Sequence, residues 1–340
     1  MPIMATSFIQ MAYSLTDMAW VGRLGSESMA AVGAVGILTW MSGSIALLNK
    51  VGAEVSVGQS IGARSEEDAR SFASHNITIA LLISVCWGGL LFLFARPILN
   101  IFELKQHITD AAVTYLRIVS TGLPFIFLSA AFTGIYNAAG RSKIPFYISG
   151  TGLIMNIVLD PLFIFGFGWG IKGSAWATVI SQVISLAGQL IHFSRPKELL
   201  HFKKGIYRLK SEIVKGILYI GMSPFLMNLC ACLIVILINR GLKEHGGDMA
   251  IGAYGIVNRV VFLFIMIIMG FNQGMQPIAG YNFGARQYSR VTEVTKLTMK
   301  WAIGVATTGF LLCQLFPSMI VRMFTCLLYT SPSPRDAHES

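Results

Sequence analysis

The heptapeptide GQSIGAR at residues 58–64 returns 222 positions later as GYNFGAR at residues 280–286. The two glycines, the alanine and the arginine coincide at this offset, and identical residues continue on both sides without a gap. The flanking matches pair Pro2 with Pro224, Ala31 with Ala253, Gly33 with Gly255, Gly52 with Gly274, Ala80 with Ala302 and Phe102 with Phe324. Solenoid repeats have periods of about 20 to 50 residues. This much longer period predicts a protein built from two similar halves.

The composition is that of a membrane protein. Hydrophobic residues make up 54% of the chain and charged residues 12%, and the mean hydropathy is +0.65. A soluble domain has about 25% charged residues, so this chain cannot cover itself with a water-compatible surface. Most apolar stretches reach the roughly 20 residues with which a helix crosses a bilayer. We therefore predict an all-α membrane protein with nine spans, at about 2–22, 30–50, 72–95, 113–138, 144–166, 174–194, 213–239, 250–272 and 294–317.

The net charge of +10 could suggest a nucleic-acid partner. The basic residues, however, lie in the short loops between the predicted spans. Twelve Lys and Arg residues follow even-numbered spans and six follow odd-numbered ones. By the positive-inside rule, the loops after even-numbered spans face the cytoplasm. We therefore expect the lipid bilayer, and no nucleic acid, as the partner of this charge.

The repeat also predicts the domain organisation. The first copy, residues 1–194, holds six spans, and a basic linker at 195–212 leads to the second copy at 213–324, which holds three. Because six is even, both copies enter the membrane from the same side as parallel repeats, with a substrate path between the two lobes. We expect a fragment that lacks the last three of twelve helices. Residues 325–340, which end in SPSPRDAHES, have no counterpart in the first copy and are expected to be a non-native tail.

The two glycine-rich heptapeptides lie between predicted helices at the cytoplasmic ends of spans 2 and 8. A phosphate-binding loop needs a strand before it and Lys-Ser or Lys-Thr at its end, so these segments are not nucleotide sites. We expect their glycines to let the chain turn sharply, and Arg64 and Arg286 to anchor the turns in the head-group region.

Polar side chains recur at helical spacing inside three spans of the first copy. They are Thr6, Gln10, Tyr13 and Asp17 in span 1, Ser149, Asn156 and Asp160 in span 5, and Ser174, Thr178, Ser181 and Ser185 in span 6. Residues at this spacing share one helix face. Three such faces in one lobe predict a wet cavity between these helices.

The two carboxylates in these faces are the strongest indication of function. An Asp at the centre of a membrane helix costs about 2.5–3.5 kcal/mol on insertion scales, and a protein tolerates it where the group meets a cavity, a proton or a cation. Each of these residues also has a structural interpretation. Asp17 could be an interfacial residue that snorkels, and Asn156 and Asp160 could form interhelical hydrogen bonds. Lys50 and Glu54 are expected near the end of span 2, snorkelling to the interface.

Several motifs resemble those of the multidrug and toxic compound extrusion (MATE) family. They are SLTDMAWVGRLG at residues 14–25, AAVG at 30–33, NIVLDPLFIFGFGWGIKGSAWATVISQ at 156–182 and the duplicated GAR turns. The resemblance covers about residues 1–324. It implies an antiporter of a prokaryotic inner membrane that exports cationic, amphiphilic compounds in exchange for Na⁺ or H⁺, without another cofactor. We expect a monomer.

The resemblance also implies a set of site residues. A cation site in the first lobe of some members matches Asp17, Asn156, Asp160 and Thr178, and a proline at which helix 1 bends matches Pro2. The neighbouring polar residues expected in the substrate cavity are Thr6, Gln10, Tyr13, Ser149 and Ser181. Other members use acidic residues on helices 7 and 10. Span 7 here has only Glu212 at its edge.

Two alternatives to an antiporter would require other sequence features. A lipid-linked oligosaccharide flippase of the same superfamily would need several basic residues in its cleft, and few are present within the spans. A membrane enzyme would need a catalytic cluster such as His-Glu-x-x-His on a helix. The five histidines within residues 1–324 are scattered, and four of them lie at or near span ends. They are His75, His107, His192, His201 and His245. We therefore expect a protein that is not an enzyme.

Overall fold

The computed structural model describes residues 2–194 and 209–317, although the side chains of Gln10 and of some residues within 4–11 and 239–259 are not described. The described residues form helices and no strand. The helices are α1 (Pro2–Gly22), α2 (Ser26–Gly62), α3 (Glu66–Leu93), α4 (Ala95–Asn100), α5 (Gln106–Ala138), α6 (Lys143–Pro161), α7 (Ile171–Phe193), α8 (Ser211–Gly284) and α9 (Tyr288–Leu315). A π-helical turn, Leu162–Gly166, continues α6. The prediction of an all-α membrane protein is confirmed.

Seven segments of the described residues are long and apolar enough to cross a membrane. They are Ser26–Gly62, Glu66–Leu93, Gln106–Ala138, Lys143–Gly166, Ile171–Phe193, Ser211–Leu242 and Val260–Gly284. The first and ninth predicted spans are helices α1 and α9, but they do not belong to this apolar set. The sequence of α1 contains several polar residues, among them Thr6, Gln10 and Asp17, which lower its mean hydropathy.

The predicted break between spans 7 and 8 falls inside helix α8, whose bounds run without interruption from Ser211 to Gly284. No proline lies between Pro224 and Pro277, so the intervening sequence does not force the helix to end. Nevertheless α8 folds back on itself: Gly52 of α2 lies against Ile217, and Gly62 lies against Tyr281. Ten residues of α2 span about 15 Å, whereas 64 residues of straight helix would span about 96 Å. The segments Ser211–Leu242 and Val260–Gly284 are therefore two arms, here called the first and second arm of α8.

Contacts along α2 give the direction of each arm. Leu48 and Gly52 of α2 meet Gly221 and Ile217 of the first arm, which therefore runs antiparallel to α2. Val55 and Gln59 meet Gly280 and Gly284 of the second arm, which runs parallel to it.

The helix ends confirm the parallel repeat. Helix α2 ends at residue 62, and α3 runs from 66 to 93. Adding the offset of 222 gives 284, where α8 ends, and 288 and 315, where α9 begins and ends. The connecting turns also match. Arg64 and Arg286 have φ values of 60° and 57°, and each donates its backbone N–H to a carbonyl three residues earlier at 3.0 Å.

The glycines of these turns have a different role from the one predicted. The left-handed residue in each turn is the arginine, and Gly62 and Gly284 lie within the last turns of their helices. A β carbon on Gly62 would overlap the Tyr281 carbonyl, and one on Gly284 would overlap the Gln59 carbonyl. Since Gln59 and Tyr281 are themselves related by the offset of 222, the contact has approximate twofold symmetry. The glycines allow α2 and the second arm to touch backbone to backbone.

The remaining helices of the first half pack around α5. This helix contacts α2, α3 and α7, while α1 packs against α6 and α7. The core around α5 is made of small and aliphatic residues with Phe127 and Tyr115 among the larger buried members. Of the predicted domain boundaries, the linker up to residue 208 and the tail at 325–340 lie outside the described residues, so both predictions stand untested.

Candidate cation site in the first half

The polar faces of α1, α6 and α7 meet at one place in the first half. Two glycines allow the helices to come this close. Gly152 of α6 lies under the hydroxyl groups of Tyr13 and Ser185, and Gly173 at the start of α7 lies against the Phe163 backbone in the π-helical turn. A side chain at either position would collide with these groups. The next residue after Gly173 is Ser174, which is thereby held next to α1.

Asp160 lies at the end of α6, beside Pro161, and is fully buried. The Asn156 Nδ2 donates a hydrogen bond to Asp160 Oδ1 at 3.2 Å and lies 3.5 Å from Thr178 Oγ1. The other carboxylate oxygen, Asp160 Oδ2, is buried without a hydrogen-bond partner, as is Asn156 Oδ1. Burying such oxygens unpaired costs free energy, so the site has two acceptor atoms free for a ligand.

Asp17 of α1 lies next to this group. Its carboxylate accepts hydrogen bonds from Ser174 Oγ and from Tyr115 Oη, the latter at 3.2 Å. Asp17 is therefore held towards the helix bundle and does not snorkel to the interface. The carboxyl groups of Asp17 and Asp160 are close enough to repel each other. Asp17, Asn156, Asp160 and Thr178 thus lie in one region of the first half.

Tyr115 also contacts this group of residues, and no sequence pattern indicated it. It is buried on α5, 98 residues from Asp17 in the chain. A tyrosine in an apolar span has the same pattern as a core residue, so periodicity alone could not identify it. The available signal was only that a buried Tyr hydroxyl usually needs a partner.

The carboxylates of this site have no basic partner among the described residues. The ion pairs of the described residues lie elsewhere, at partly or largely exposed positions. They are Arg70–Glu66, Arg96–Asp110 and His107–Glu27. No group of three or more His, Cys, Asp and Glu side chains converges in the described part of the chain. The chemistry available to a ligand is therefore that of two carboxylates, an amide and hydroxyl groups.

The other predicted residues have varied surroundings. The hydroxyl groups of Thr6 and Ser181 donate to carbonyls of their own helices, Pro2 O at 3.0 Å and Ala177 O at 2.8 Å. Ser149 is half-buried on α6. The side chain of Gln10 lies outside the described part of the structure, and a bend at Pro2 is not tested because α1 begins there.

A cavity of about 640 Å³ lies between the two halves, near the GAR turns. Its lining is mostly apolar and includes Phe271, Tyr281 and Trp301 of the second half, with Asn137 and Asn282 among its polar groups. Among the predicted substrate-cavity residues whose side chains are described, Pro2 lines this cavity.

The prediction that Lys50 and Glu54 snorkel is wrong. Their exposed fractions are 9% and 1%. Helix α2 has 37 residues and continues to Gly62. The predicted span at 30–50 ended too early, so it placed both residues near a helix end, whereas they lie inside the helix.

Comparisons with known proteins agree on one family. The MatE family matches residues 2–162 and 220–326. The probable multidrug resistance protein YoeA of Bacillus subtilis strain 168 is 27% identical over 335 residues, which are 95% of this chain and 71% of that protein. The probable multidrug resistance protein NorM of Thermotoga maritima is 26% identical over 330 residues, 96% of this chain and 70% of that protein.

Solved structures show the same fold. A MATE crystal structure in the bent conformation superposes with a TM-score of 0.91 at 24% identity, over 96% of this chain and 73% of that one. A transporter of the MOP superfamily from Pyrococcus furiosus superposes with a TM-score of 0.88 at 26% identity, over 95% of this chain and 72% of that one. The chain is therefore a multi-pass membrane protein of the MatE family, which comprises transporters and not enzymes.

Proposed function

We propose that this protein is an antiporter that exports cationic, amphiphilic compounds in exchange for Na⁺ or H⁺ by alternating access, in the inner membrane of a prokaryote. The names of the relatives support multidrug export. The proposed cation site consists of Asp17, Asn156, Asp160 and Thr178, with Tyr115 and Ser174 holding Asp17 in place.

The observation that carries the proposal is the buried Asp160 carboxylate beside Asp17. One of its oxygens has no hydrogen-bond partner, and no ion pair among the described residues reaches either acid. Two negative charges in a low-dielectric interior repel each other. A proton or Na⁺ at this place removes the repulsion, and carboxylate and amide oxygens are the ligands that hard cations prefer.

The proposed cycle uses this neutralisation as a switch. Entry of the ion from outside removes the repulsion between α1 and α6 and lets α1 move, which releases the exported compound outwards. Return of the halves to the inward-facing state delivers the ion to the cytoplasm. The ion and the compound need not occupy the same atoms for this coupling, because each needs only to favour one of the two states.

The first prediction is that Asp160→Asn abolishes ion-coupled export. The substitution keeps the size of the side chain and removes its charge, so insertion and expression should be retained. We expect at least a tenfold loss of efflux of a lipophilic cationic dye from cells, and a loss of Na⁺- or pH-driven dye movement in proteoliposomes. Asp68→Asn, at an exposed position of α3, is the matched control and should transport normally.

Full coupled transport by Asp160→Asn would contradict the assignment of Asp160. Asp17→Asn separates the contributions of the two acids. If it transports normally, Asp17 is a structural acceptor for Tyr115 and Ser174, and the cation site is limited to α6 and α7.

The flippase alternative has less support. Lipid-linked oligosaccharides carry pyrophosphate, which basic side chains would bind. None of the described residues that line the 640 Å³ cavity is Lys or Arg.

A further inference from the structure

Helix α2 contains a pair of buried opposite charges that the proposed cation site does not use. Lys50 and Glu54 lie one helical turn apart and are 9% and 1% exposed. Ionisable residues within membrane helices are costly and are retained where they have a function. The pair lies where α2 contacts both α5 of the first half and the second arm of α8.

The two side chains are directed to different halves of the molecule. Lys50 Nζ donates a hydrogen bond of 3.3 Å to Gln273 Oε1 in the second arm of α8. Glu54 lies against Asn137 of α5, in its own half. An ion pair within 4.0 Å between Lys50 and Glu54 is not among those of the described residues.

Among the described residues, neither Lys50 nor Glu54 has an oppositely charged partner within 4.0 Å. Glu54 Oε1 is buried and has no hydrogen-bond partner. The ammonium group of a lysine has three donors, and the bond found for Lys50 among the described residues is to a neutral amide. Residues four apart on a helix are close enough for their side chains to form an ion pair. Lys50 therefore has a second, charged acceptor within reach on its own helix.

We propose that Lys50 exchanges partners when the halves move relative to each other. In the state described, it joins α2 to the second arm of α8 through Gln273. When the two helices separate at this point, Lys50 turns to Glu54, so that neither charge is left buried and unpaired. Lys50, Glu54 and Gln273 are then positioning residues that set the balance between the joined and the separated state. The inference rests on the alternating access proposed above.

Three variants should shift this balance in defined directions. Gln273→Glu replaces the amide with a carboxylate of similar size, gives Lys50 a charged partner across the interface, and should favour the joined state. Glu54→Gln weakens the alternative partner and should act in the same direction. Gln273→Leu removes the acceptor and should favour the separated state. A purely structural role would make the two Gln273 variants disturb the protein alike, whereas partner exchange requires opposite effects.

The experiment measures the distance between α2 and the second arm by electron spin resonance. Spin labels are attached at Ala63→Cys and Ala285→Cys, two small helix-end residues on facing helices, after the five native cysteines have been replaced. The protein is studied in lipid nanodiscs with and without Na⁺ and at two pH values. We expect Gln273→Glu and Glu54→Gln to raise the ratio of joined to separated molecules at least threefold, and Gln273→Leu to lower it at least threefold. Glu293→Gln is the control: it removes the charge of an exposed side chain on α9 and should leave the ratio unchanged.

The outcomes separate the two proposals. If the unsubstituted labelled protein shows two distances but the three variants do not shift their ratio, or shift it in one common direction, partner exchange is wrong and alternating access stands. If a single distance persists in all conditions and variants, the halves do not separate here, and both proposals fail. Dye efflux by each variant, measured in parallel, shows whether a shifted ratio slows transport.

Discussion

At the scale of the residue, the two GAR turns depend on arginines in a backbone conformation that L-residues rarely adopt. Arg64 and Arg286 have φ values of 60° and 57°, and this region costs a non-glycine residue about 1–2 kcal/mol. In each turn the residue one position later, Ser65 or Gln287, donates its N–H to a carbonyl five residues earlier. The arginines are thus strained, while the turn itself is well bonded.

Arg64→Gly should therefore be more stable than Arg64→Ala, by about 1 kcal/mol. Both variants lose the guanidinium group, so their difference reports the backbone alone. The apparent melting temperature of the purified protein in detergent measures it. At Arg290, in helix α9, the order should reverse, because Gly is about 1 kcal/mol less favourable than Ala inside a helix. Equal melting temperatures of the two Arg64 variants would show that the turn can adopt a backbone conformation without this strain.

The individual site residues differ in how far the sequence could predict them. Asp17, Asn156, Asp160 and Thr178 were accessible, because polar groups at helical spacing in an apolar span are conspicuous and match a family pattern. Tyr115 was not, since its hydroxyl meets Asp17 only because α5 and α1 both pack against α7. Lys50 and Glu54 were misplaced because the apolar run at 30–50 ends before helix α2 does, at Gly62.

At the scale of the element, α2 is the helix on which the two halves meet. It contacts the first arm of α8 at Gly52 and the second arm at Gly62. At each contact a glycine on one helix lies against a backbone carbonyl of the other. Close backbone approach of this kind is typical of helix association in membranes, where small residues let van der Waals contacts form.

Gly62→Ala should weaken this association, because its β carbon would overlap the Tyr281 carbonyl. Gly36→Ala in the same helix is the control, since a β carbon there has no neighbour within 4 Å. On helix propensity alone both substitutions would stabilise α2 by about 1 kcal/mol. We expect Gly36→Ala to raise the melting temperature of the purified protein and Gly62→Ala to lower it. A rise in both would mean that the second arm can move away without loss.

The elements as such were largely predictable. Each predicted span overlaps one helix or one arm of α8 over more than half of its length, and the bounds of α9 follow from α3 by the repeat. The exception is the turn between the arms of α8, where the chain reverses although the helix bounds run on. The π-helical turn after Pro161 was also not foreseen, because its bonding pattern depends on how α7 packs against it at Gly173.

At the scale of the whole molecule, the offset of 222 residues relates two structures that run in the same direction. The positive-inside rule assigns both GAR turns to the cytoplasm. This assignment follows from basic residues in short loops, and the parallel course of α2 and the second arm agrees with it.

Cysteines placed at Ser65 and Gln287, equivalent positions of the two turns, should therefore react from the same side of the membrane. In a protein free of other cysteines, a membrane-impermeant maleimide should label neither residue in intact cells and both in inside-out vesicles. A cysteine at Lys105, in a loop assigned to the outer side, should show the reverse pattern. Labelling of the two turns from opposite sides would exclude a parallel repeat.

The glycine contact between α2 and the second arm also bears on how such a chain could arise. Gly62 meets the carbonyl of Tyr281, and Gly284 meets that of Gln59, which is the reciprocal pattern of an isologous interface between identical subunits. A single ancestral copy could have formed the same contact as a homodimer. Once the copies are joined by gene fusion, each can mutate alone. Glu54 then keeps its charge while its counterpart at the offset of 222 is the neutral Gln276, an asymmetry that a homodimer cannot have.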